Sequence, residues 1–224
     1  MFDIKSGQRV TVTGKTGSGK TTLMCHLIED RPTDKAIILD CKGDSVFETL
    51  TGSEVIHGLE LSDDKNTDVF IVRPTSAELS DPELLDKFLL ALYNKCRNIT
   101  VVIDEAYMIH SSGGRAGPGL IGLVTRGRSR KIGTWIGTQR PAWASRFCFS
   151  ESEHFFVMML SHPADRKLMS EYTGCPIVAR EILPPYEAWH ITGQKMERVK
   201  VNRFRKDSGE SEEIGSSEKQ WKFI

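Results

Sequence analysis

The sequence predicts an α/β fold with a mostly parallel central sheet flanked by helices. Short apolar segments typical of buried strands alternate with amphipathic, helix-like segments along most of the chain. A glycine-rich segment separates the first predicted strand from the first predicted helix. Two acids directly follow a strand of β-branched residues, at the end of the strand where open parallel sheets bind their ligands. Together these three observations indicate a ligand site at one edge of the sheet.

The predicted elements follow one another in a regular order. Strands are predicted at 9–13, 36–40, 69–72, 100–103, 133–137 and 155–160, and helices at 21–29, 81–96 and 163–172. The second helix is the best marked, because Asp81 can cap it, Pro82 suits its first turn and one face carries Leu84, Leu85, Phe88, Leu89 and Leu92. Beyond residue 185, alternating runs at 188–192 and 198–204 around Gly193 predict a C-terminal β-hairpin.

Residues 14–21 read GKTGSGKT and fill the pattern G-x-x-x-x-G-K-[ST] at every fixed position. Glycines at 14, 17 and 19 let successive backbone N–H groups point inward at phosphate oxygens. Lys20 would reach the β- and γ-phosphates of ATP and Thr21 would hold Mg²⁺, while the helix dipole favours the anion. The alternative is a glycine-rich turn with a chance Lys-Thr pair. The predicted nucleotide-binding residues are Gly14, Lys15, Thr16, Gly17, Ser18, Gly19, Lys20, Thr21 and Thr22.

The acids that end the segment TVVIDE suit metal-assisted phosphoryl transfer to water. Asp104 is predicted to share the Mg²⁺ shell with Thr21, and Glu105 to polarise the attacking water. The alternative is a strand that exits into a solvated acidic turn. The co-occurrence of this strand with the phosphate loop favours the catalytic interpretation, so the sequence predicts a hydrolase.

The segment 122–141, GLVTRGRSRKIGTWIGTQRP, combines an arginine cluster with a strand that ends in Gln139. The Gln139 amide can contact the γ-phosphate or the attacking water. Arg126 and Arg130 are four residues apart and share a helix face, whereas Arg128 points about 200° away from Arg126 at about 100° per residue. One of the three can act as an arginine finger on a neighbouring subunit. A solvated basic helix end is the alternative.

Composition restricts the class of protein. The chain has 30 Lys+Arg and 30 Asp+Glu, so its zero formal net charge supplies no global field for nucleic acid and any DNA contact must be local. Five separated cysteines indicate reduced, mostly buried thiols, with neither a disulfide frame nor a zinc cluster. No apolar stretch approaches the ~18 residues of a membrane span, and no signal peptide is expected. We expect hydrogen-bonded roles for His57, His110, His154, His162 and His190, and a core or subunit-interface role for Trp135 and Trp143.

The motifs GKTGSGKT, ILDCKGD, VVIDEA and TRGRSRKIG running into GTQRP resemble those of the FtsK/HerA superfamily of ring-forming, DNA-pumping P-loop ATPases. Within that superfamily the compact chain resembles the genome-packaging ATPases of membrane-containing icosahedral viruses. The match covers about residues 8–204. The resemblance implies a RecA/FtsK-like P-loop NTPase fold and gives Lys20, Thr21, Asp104, Glu105 and Gln139 the roles described above. It makes Arg128 the preferred trans-acting finger, with Arg126 and Arg130 next.

The resemblance also implies a biological role: an ATP-driven motor that moves double-stranded viral DNA into a preformed capsid. The alternatives are a cellular or plasmid DNA translocase and a non-hydrolysing switch that assembles a vertex. The chain would form a ring, by resemblance a hexamer, at a virion packaging vertex or in the host cytoplasm, with capsid or membrane vertex proteins as partners. DNA would be contacted through its phosphates, by Arg115 in a flexible loop at 111–119 and, more weakly, by Lys42. An ordinary mobile surface loop is the alternative for 111–119.

The predicted division of the chain is an ATPase domain at 1–206 and a flexible tail at 207–224. Residues 207–219 contain mainly Ser, Glu, Gly and Lys and have little to bury. The last four residues are apolar again, so they either fray or dock on a neighbour.

Overall fold

The computed structural model describes residues 2–60, 67–109 and 116–202, together with the backbone of 221–223. Within these residues a single sheet has the strand order β10-β9-β8-β7-β1-β6-β5-β2-β4-β3. The strands are β1 Arg9–Thr13, β2 Lys35–Leu39, β3 Ser53–His57, β4 Val69–Arg73, β5 Ile99–Ile103, β6 Gly133–Thr138, β7 His154–Val157, β8 Glu187–Thr192, β9 Lys195–Val201 and β10 Trp221–Phe223.

The sheet is parallel from β7 to β3, and its three remaining strands are antiparallel. β1 pairs in parallel with β6 on one side and with β7 on the other. β8 turns back along β7 and forms a hairpin with β9, which β10 then extends. The predicted α/β class, the mostly parallel sheet and the C-terminal hairpin are therefore confirmed.

Helices cover both faces of the sheet. The described helices are α1 Lys20–Glu29, α2 Ser76–Leu79, α3 Pro82–Lys95, α4 Pro118–Arg126, α5 Phe147–Ser150, α6 Pro163–Thr173 and α7 Ile177–Arg180. α1 packs on one face together with a 3-10 helix at Ser45–Thr49, while α3, α4 and α6 pack on the other. Strand β5 shows the two cores: Val101 and Ile103 face α3 and α4, and Val102 between them faces α1. Such two-sided burial explains the unbroken apolar run in this strand.

The local signals in the sequence set the ends of the predicted helices. The Asp81 side chain accepts hydrogen bonds from the backbone N–H groups of Glu83 and Leu84, at 3.0 and 3.2 Å, and Pro82 opens α3. Gly174 ends α6 in the left-handed conformation, with φ of 66°. Leu84, which the sequence places on the apolar face of α3, is instead exposed at 38%. Asp86 is buried on that helix because its carboxylate receives N–H bonds from Gly119 and Leu120 of α4, at 2.9 and 3.0 Å.

Several features differ from the predicted elements or extend them. β7 ends at Val157 rather than at 160, and β9 spans Lys195–Val201 rather than 198–204. Strand β3 was not predicted; it lies at the edge of the sheet, where a half-exposed strand lacks a clear apolar run. The loop predicted at 111–119 is shorter, since α4 begins at Pro118, and residues 110–115 lie outside the described part. Most of the predicted tail also lies outside it, but Trp221–Phe223 pairs with β9 as an added strand. The division of the chain at residue 206 stays a prediction.

Candidate active site

The phosphate loop leaves the carboxyl end of β1 and enters α1 at Lys20. Gly17 and Gly19 have φ of 78° and 94°, which side-chain-bearing residues rarely adopt. A Cβ at Gly14 would lie 2.4 Å from the Ser18 hydroxyl, so the tight turn also excludes a side chain there. The backbone path therefore requires all three glycines of the loop, the motif residues Gly14 and Gly19 and also Gly17.

Neighbouring strands hold this loop in place. The Gly14 N–H donates to the Thr138 carbonyl at 3.2 Å, and the Lys15 N–H donates to that of Met159 at 2.9 Å. An open cleft of about 230 Å³ lies above the loop. Seven of the nine predicted nucleotide-binding residues line it, namely Lys15, Thr16, Gly17, Gly19, Lys20, Thr21 and Thr22, while Gly14 and Ser18 form the turn beneath. The loop thus presents its backbone and its lysine to one cavity.

The two predicted acids and the loop lysine meet in a buried cluster. Lys20 Nζ lies 2.6 Å from Asp104 Oδ1 and 3.3 Å from Glu105 Oε1. Lys42 Nζ also pairs with Glu105 Oε1. The side chains of Lys20, Asp104 and Glu105 are almost entirely shielded from water, whereas that of Lys42 is partly exposed. The cluster has two positive and two negative groups, so the charges balance.

The pKa of the Lys20 amine reflects two opposing effects. Burial by itself lowers the pKa, because it disfavours the charged amine. The nearby Asp104 and Glu105 carboxylates outweigh burial and raise the pKa above its ordinary value of 10.5. Lys20 therefore remains a cation, which is the form that binds phosphate.

Three buried oxygen atoms at this edge of the sheet have no hydrogen-bond partner among the described residues. They are Thr13 Oγ1, Ser18 Oγ and Asp104 Oδ2. Buried polar atoms are nearly always partnered, so an orphaned carboxylate oxygen beside a phosphate loop indicates a place that a ligand completes. Mg²⁺ fits here, since it is commonly bound by one carboxylate, a hydroxyl, substrate phosphates and water. Asp104 and Thr21, the predicted ligands, would supply the carboxylate and the hydroxyl.

Gln139 follows β6 and enters the same cleft from the side of the acids. Its side-chain Oε1 accepts a hydrogen bond from the Thr16 hydroxyl at 2.6 Å. Its backbone N–H donates to Glu105 Oε2 at 3.2 Å. Gln139 thereby connects the phosphate loop to Glu105, and its contact to the γ-phosphate or the attacking water stays a prediction.

Lys42 lines the cleft and pairs with Glu105, a contact that the sequence did not predict, and its predicted DNA contact stays a prediction. It lies in the turn after β2, and its amine is directed inward at Glu105. Asp40 fixes the turn by accepting N–H bonds from residues 42–44, and it pairs with Arg73 Nε at 2.9 Å. The segment DCKGD in the sequence contains Lys42 beside two acids. Only the pairing of β2 with β5, however, brings Lys42 to Glu105.

The arginine cluster lies at the other end of β6 from Gln139. Arg126 and Arg130 both stack on the Tyr93 ring, at 5.1 and 4.4 Å, as their shared face predicts. Arg128 points elsewhere, has 70% of its side chain exposed, and lies 3.8 Å from Glu153. Since β6 has six residues, the cluster and the cleft are separated by on the order of 20 Å of strand. Arg128 therefore cannot serve its own cleft, which is the condition for a trans-acting role.

Several residues near Gln139 and the cleft make contacts that the sequence did not predict. Arg140 pairs with the buried Asp165 at 3.0 Å and stacks on Trp143 at 3.9 Å. Trp143 is 59% exposed, so a core role for it is wrong, whereas Trp135 is buried as expected. Tyr186 lines the cleft and contacts Gly19. No local motif predicts the pairing of Arg140 with Asp165 or the position of Tyr186 on the loop, because each depends on a contact between distant segments.

The remaining predictions concern Arg115, the cysteines and membrane-spanning segments. Arg115 lies outside the described residues. The five cysteines are free, and burial raises the pKa of Cys41 and Cys148 to about 12, which agrees with unreactive thiols. Among the described helices, none combines the length and apolar character that crossing a bilayer requires.

Comparison with known proteins identifies relatives with this fold. DNA packaging ATPase P9 of Enterobacteria phage PRD1 is 34% identical over 167 residues, which are 74% of this chain and 70% of the relative. The genome packaging NTPase B204 of Sulfolobus turreted icosahedral virus 2, solved in complex with ATP-gammaS, superposes with a TM-score of 0.68 at 18% identity, covering 86% of this chain and 97% of that one. VirB4 of Thermoanaerobacter pseudethanolicus gives a TM-score of 0.65 at 9% identity, over 88% and 90% of the two chains.

No protein-family model matches the sequence. The likeness to B204 and VirB4 confirms the predicted fold, an α/β domain with a mostly parallel central sheet flanked by helices. The identity to P9 extends over more than two thirds of both chains, and it confirms the predicted resemblance to viral genome-packaging ATPases. The chain belongs to the family of viral DNA-packaging ATPases that includes P9 of phage PRD1.

Proposed function

We propose that this protein is the motor that hydrolyses ATP to move double-stranded viral DNA into a preformed capsid. The observation that carries the proposal is that the phosphate-loop lysine, which lines the cleft, contacts two carboxylates that are buried next to it. Lys20 Nζ lies 2.6 Å from Asp104 Oδ1 and 3.3 Å from Glu105 Oε1. Membership in a family of DNA-packaging ATPases gives this ATPase site its biological task.

ATP binding rearranges the lysine first. In the structure the Lys20 amine is held by the two acids, and phosphate oxygens would draw it onto the nucleotide. The related B204 fold was solved with ATP-gammaS, which supports a nucleoside triphosphate as the ligand. Mg²⁺, held by Thr21 and Asp104 with the phosphates, would neutralise the charge that develops on the transferred group.

Hydrolysis then requires a base beside the γ-phosphate. Glu105 accepts a proton from water while the water oxygen forms a bond to the γ-phosphorus and the bond from that phosphorus to the β,γ-bridging oxygen breaks. Its Oε2 receives the Gln139 N–H and its Oε1 receives Lys42, so the carboxylate is oriented before ATP arrives. The Gln139 side chain, released from Thr16, would contact the γ-phosphate or the attacking water and report which nucleotide is bound.

Assembly into a ring, by resemblance a hexamer, would complete the site. Arg128 is exposed and remote from its own cleft, which suits a finger that enters the cleft of the neighbouring subunit. Such a finger contributes about 10³ to 10⁵ in rate. A ring also repeats any basic side chain around a central channel, so a chain of zero net charge can hold DNA phosphates there. Arg115 remains the proposed DNA contact. The proposed location is the virion packaging vertex or the host cytoplasm.

The test of the motor is the ATPase rate measured against protein concentration, with and without duplex DNA. A ring with a trans-acting arginine predicts a rate per subunit that rises with assembly and rises again with DNA. A rate per subunit that is independent of concentration and DNA would contradict the motor. Nucleotide binding without turnover would favour the vertex-assembly switch instead.

The finger has a separate test by subunit mixing. Arg128→Ala and Lys20→Ala subunits are each expected to be nearly inactive, because each lacks one half of a shared site. Mixed, they should recover part of the activity, since a neighbour with an intact cleft can receive an intact arginine. A mixture of Arg126→Ala and Lys20→Ala subunits is the matched control, because Arg126 already stacks on Tyr93. The absence of rescue with Arg128→Ala would overturn its assignment.

A further inference from the structure

Tyr186, which precedes β8, has an unusual backbone conformation at the rim of the cleft. Its φ is 62°, in the left-handed region where bulky side chains are rare. Two backbone hydrogen bonds hold it there: its N–H donates to the Ser18 carbonyl at 2.7 Å, and its carbonyl accepts the Val201 N–H at 2.8 Å. One bond is made to the phosphate loop and the other to the C-terminal hairpin. Backbone strain that the surroundings enforce in this way is concentrated at functional sites.

The side chain of Tyr186 lies directly on the phosphate loop. A Cβ at Gly19 would come within 2.7 Å of Tyr186 Cδ1, so the glycine leaves the room that the aromatic ring occupies. The ring is half-buried and lines the cleft. Among the described residues that line the cleft, Tyr186 is the only aromatic one. The cleft therefore has one flat apolar surface, beside a loop that otherwise offers N–H groups, hydroxyls and charges.

The strand order determines which part of a nucleotide would reach this ring. Glu105 follows β5, Lys42 follows β2 and Gln139 follows β6, and all three strands lie on one side of β1. Tyr186 precedes β8, which lies on the opposite side of β1. A triphosphate whose γ-phosphate faces Glu105 must therefore extend its other end away from the acids. That end is the ribose and base, and Tyr186 is on its side of the loop.

We propose that Tyr186 is the binding platform for the nucleobase and stacks on the base of ATP. The inference rests on the proposed function, because it takes ATP as the ligand of the phosphate loop. Stacking uses the π-face that every base has, so the ring adds affinity for the base without changing how the phosphates are held. The same hydrogen bonds make the C-terminal hairpin part of the nucleotide site, through Ser18 and Val201.

The test compares two ligands on three proteins by calorimetry in the presence of Mg²⁺. The ligands are a non-hydrolysable ATP analogue and inorganic tripolyphosphate, which has the phosphates without the base. The proteins are the full-length wild type, Tyr186→Phe and Tyr186→Asn. Phenylalanine keeps the ring. Asparagine removes it, yet tolerates the left-handed backbone better than most residues do.

Tyr186→Asn should weaken binding of the ATP analogue by roughly 5- to 150-fold and leave tripolyphosphate binding within about twofold. Tyr186→Phe should bind both ligands like the wild type. Equal losses for the two ligands would show that the ring only supports the loop, and unchanged analogue binding in Tyr186→Asn would show that the base lies elsewhere. Either result overturns the platform. If the wild type bound neither ligand, the proposed ATP site itself would fail, which is a different outcome.

Discussion

Two polar clusters with buried members lie on the two sides of β1, and they differ in how their hydrogen bonds are satisfied. The charged cluster of Lys20, Lys42, Asp104 and Glu105 contains a carboxylate oxygen, Asp104 Oδ2, for which the described part of the chain offers no partner. The histidine cluster joins β7, β8 and β9: His154 Nδ1 lies 3.2 Å from His190 Nε2, and His190 Nδ1 lies 2.7 Å from Glu197 Oε1. His154 Nε2 reaches Gln8 Oε1 at 3.1 Å. Every ring nitrogen of this pair therefore has a partner.

This difference distinguishes a ligand site, the charged cluster, from a structural network, the histidine cluster. An unpartnered buried acceptor costs free energy, and it is tolerated where a ligand supplies the missing contact. A network whose members satisfy one another needs no further group and fixes how strands pack. Both clusters contain titratable residues, so the types of residue do not distinguish them. Mutations in the two clusters should therefore have different consequences: catalytic in the first and conformational in the second.

The largest expected effect is on turnover in the charged cluster. Glu105→Gln should lower the ATPase rate by about 10²- to 10⁴-fold, because the amide cannot accept a proton from water. Binding of a non-hydrolysable ATP analogue should persist, since the loop is intact. Glu197→Gln in the histidine cluster is the matched control, with turnover within about twofold of the wild type. Normal hydrolysis by Glu105→Gln would remove the assigned base and the contrast between the clusters.

The next effect is on stability in the histidine cluster. Burial, with a smaller contribution from His190, lowers the pKa of His154 from 6.5 to about 4. Above pH 6.5 the ring is neutral in both the folded and the unfolded chain. As the pH falls towards 4, only the unfolded chain takes up the proton, so the free energy of unfolding falls. The loss that His154 contributes should reach about 3 kcal/mol at most.

The measurement is urea unfolding of the wild type and of His154→Gln from pH 8 to pH 4. Because carboxylates also titrate in this range, the prediction concerns the difference between the two proteins: the variant should lose less stability as the pH falls. Its ATPase activity at pH 8 should stay close to that of the wild type. Equal pH dependence in the two proteins would show that His154 is not held neutral by the fold.

The smallest expected effect concerns Lys42. It contacts Glu105, the proposed base, but belongs neither to the phosphate loop nor to the acidic motif VVIDEA. Lys42→Met keeps the length of the side chain and removes the amine that orients Glu105. We expect kcat to fall by about tenfold, or about 1.4 kcal/mol of barrier, with little change in KM for ATP. Lys42→Arg should retain more activity than Lys42→Met because it keeps a cation beside Glu105. If Lys42→Met changed only the affinity for DNA, the result would instead support the DNA contact that the sequence predicts for Lys42.

The sequence predicted the elements whose signals are local. β1 was predicted with its observed bounds, and α3 begins at Pro82 because its cap and proline are contiguous in the chain. The phosphate loop and the acids were likewise identified from contiguous motifs. The edge strand β3 was missed because it is only half-buried and lacks a continuous apolar run. Leu84 was assigned to the core from periodicity, but Asp86 has the buried position because α4 supplies N–H partners for its carboxylate.

The chemical character of the site was determined by the sequence alone, because GKTGSGKT and VVIDE each contain the groups needed to bind phosphate or activate water. What the tertiary structure decided is which distant groups join them. Strand order places Lys42 against Glu105 and connects Gln139 to Thr16, and it positions Tyr186 on the opposite flank of the loop. The physical reason is that side-chain interactions act over a few ångströms, and only the paired strands bring residues as distant as 20 and 186 within that range.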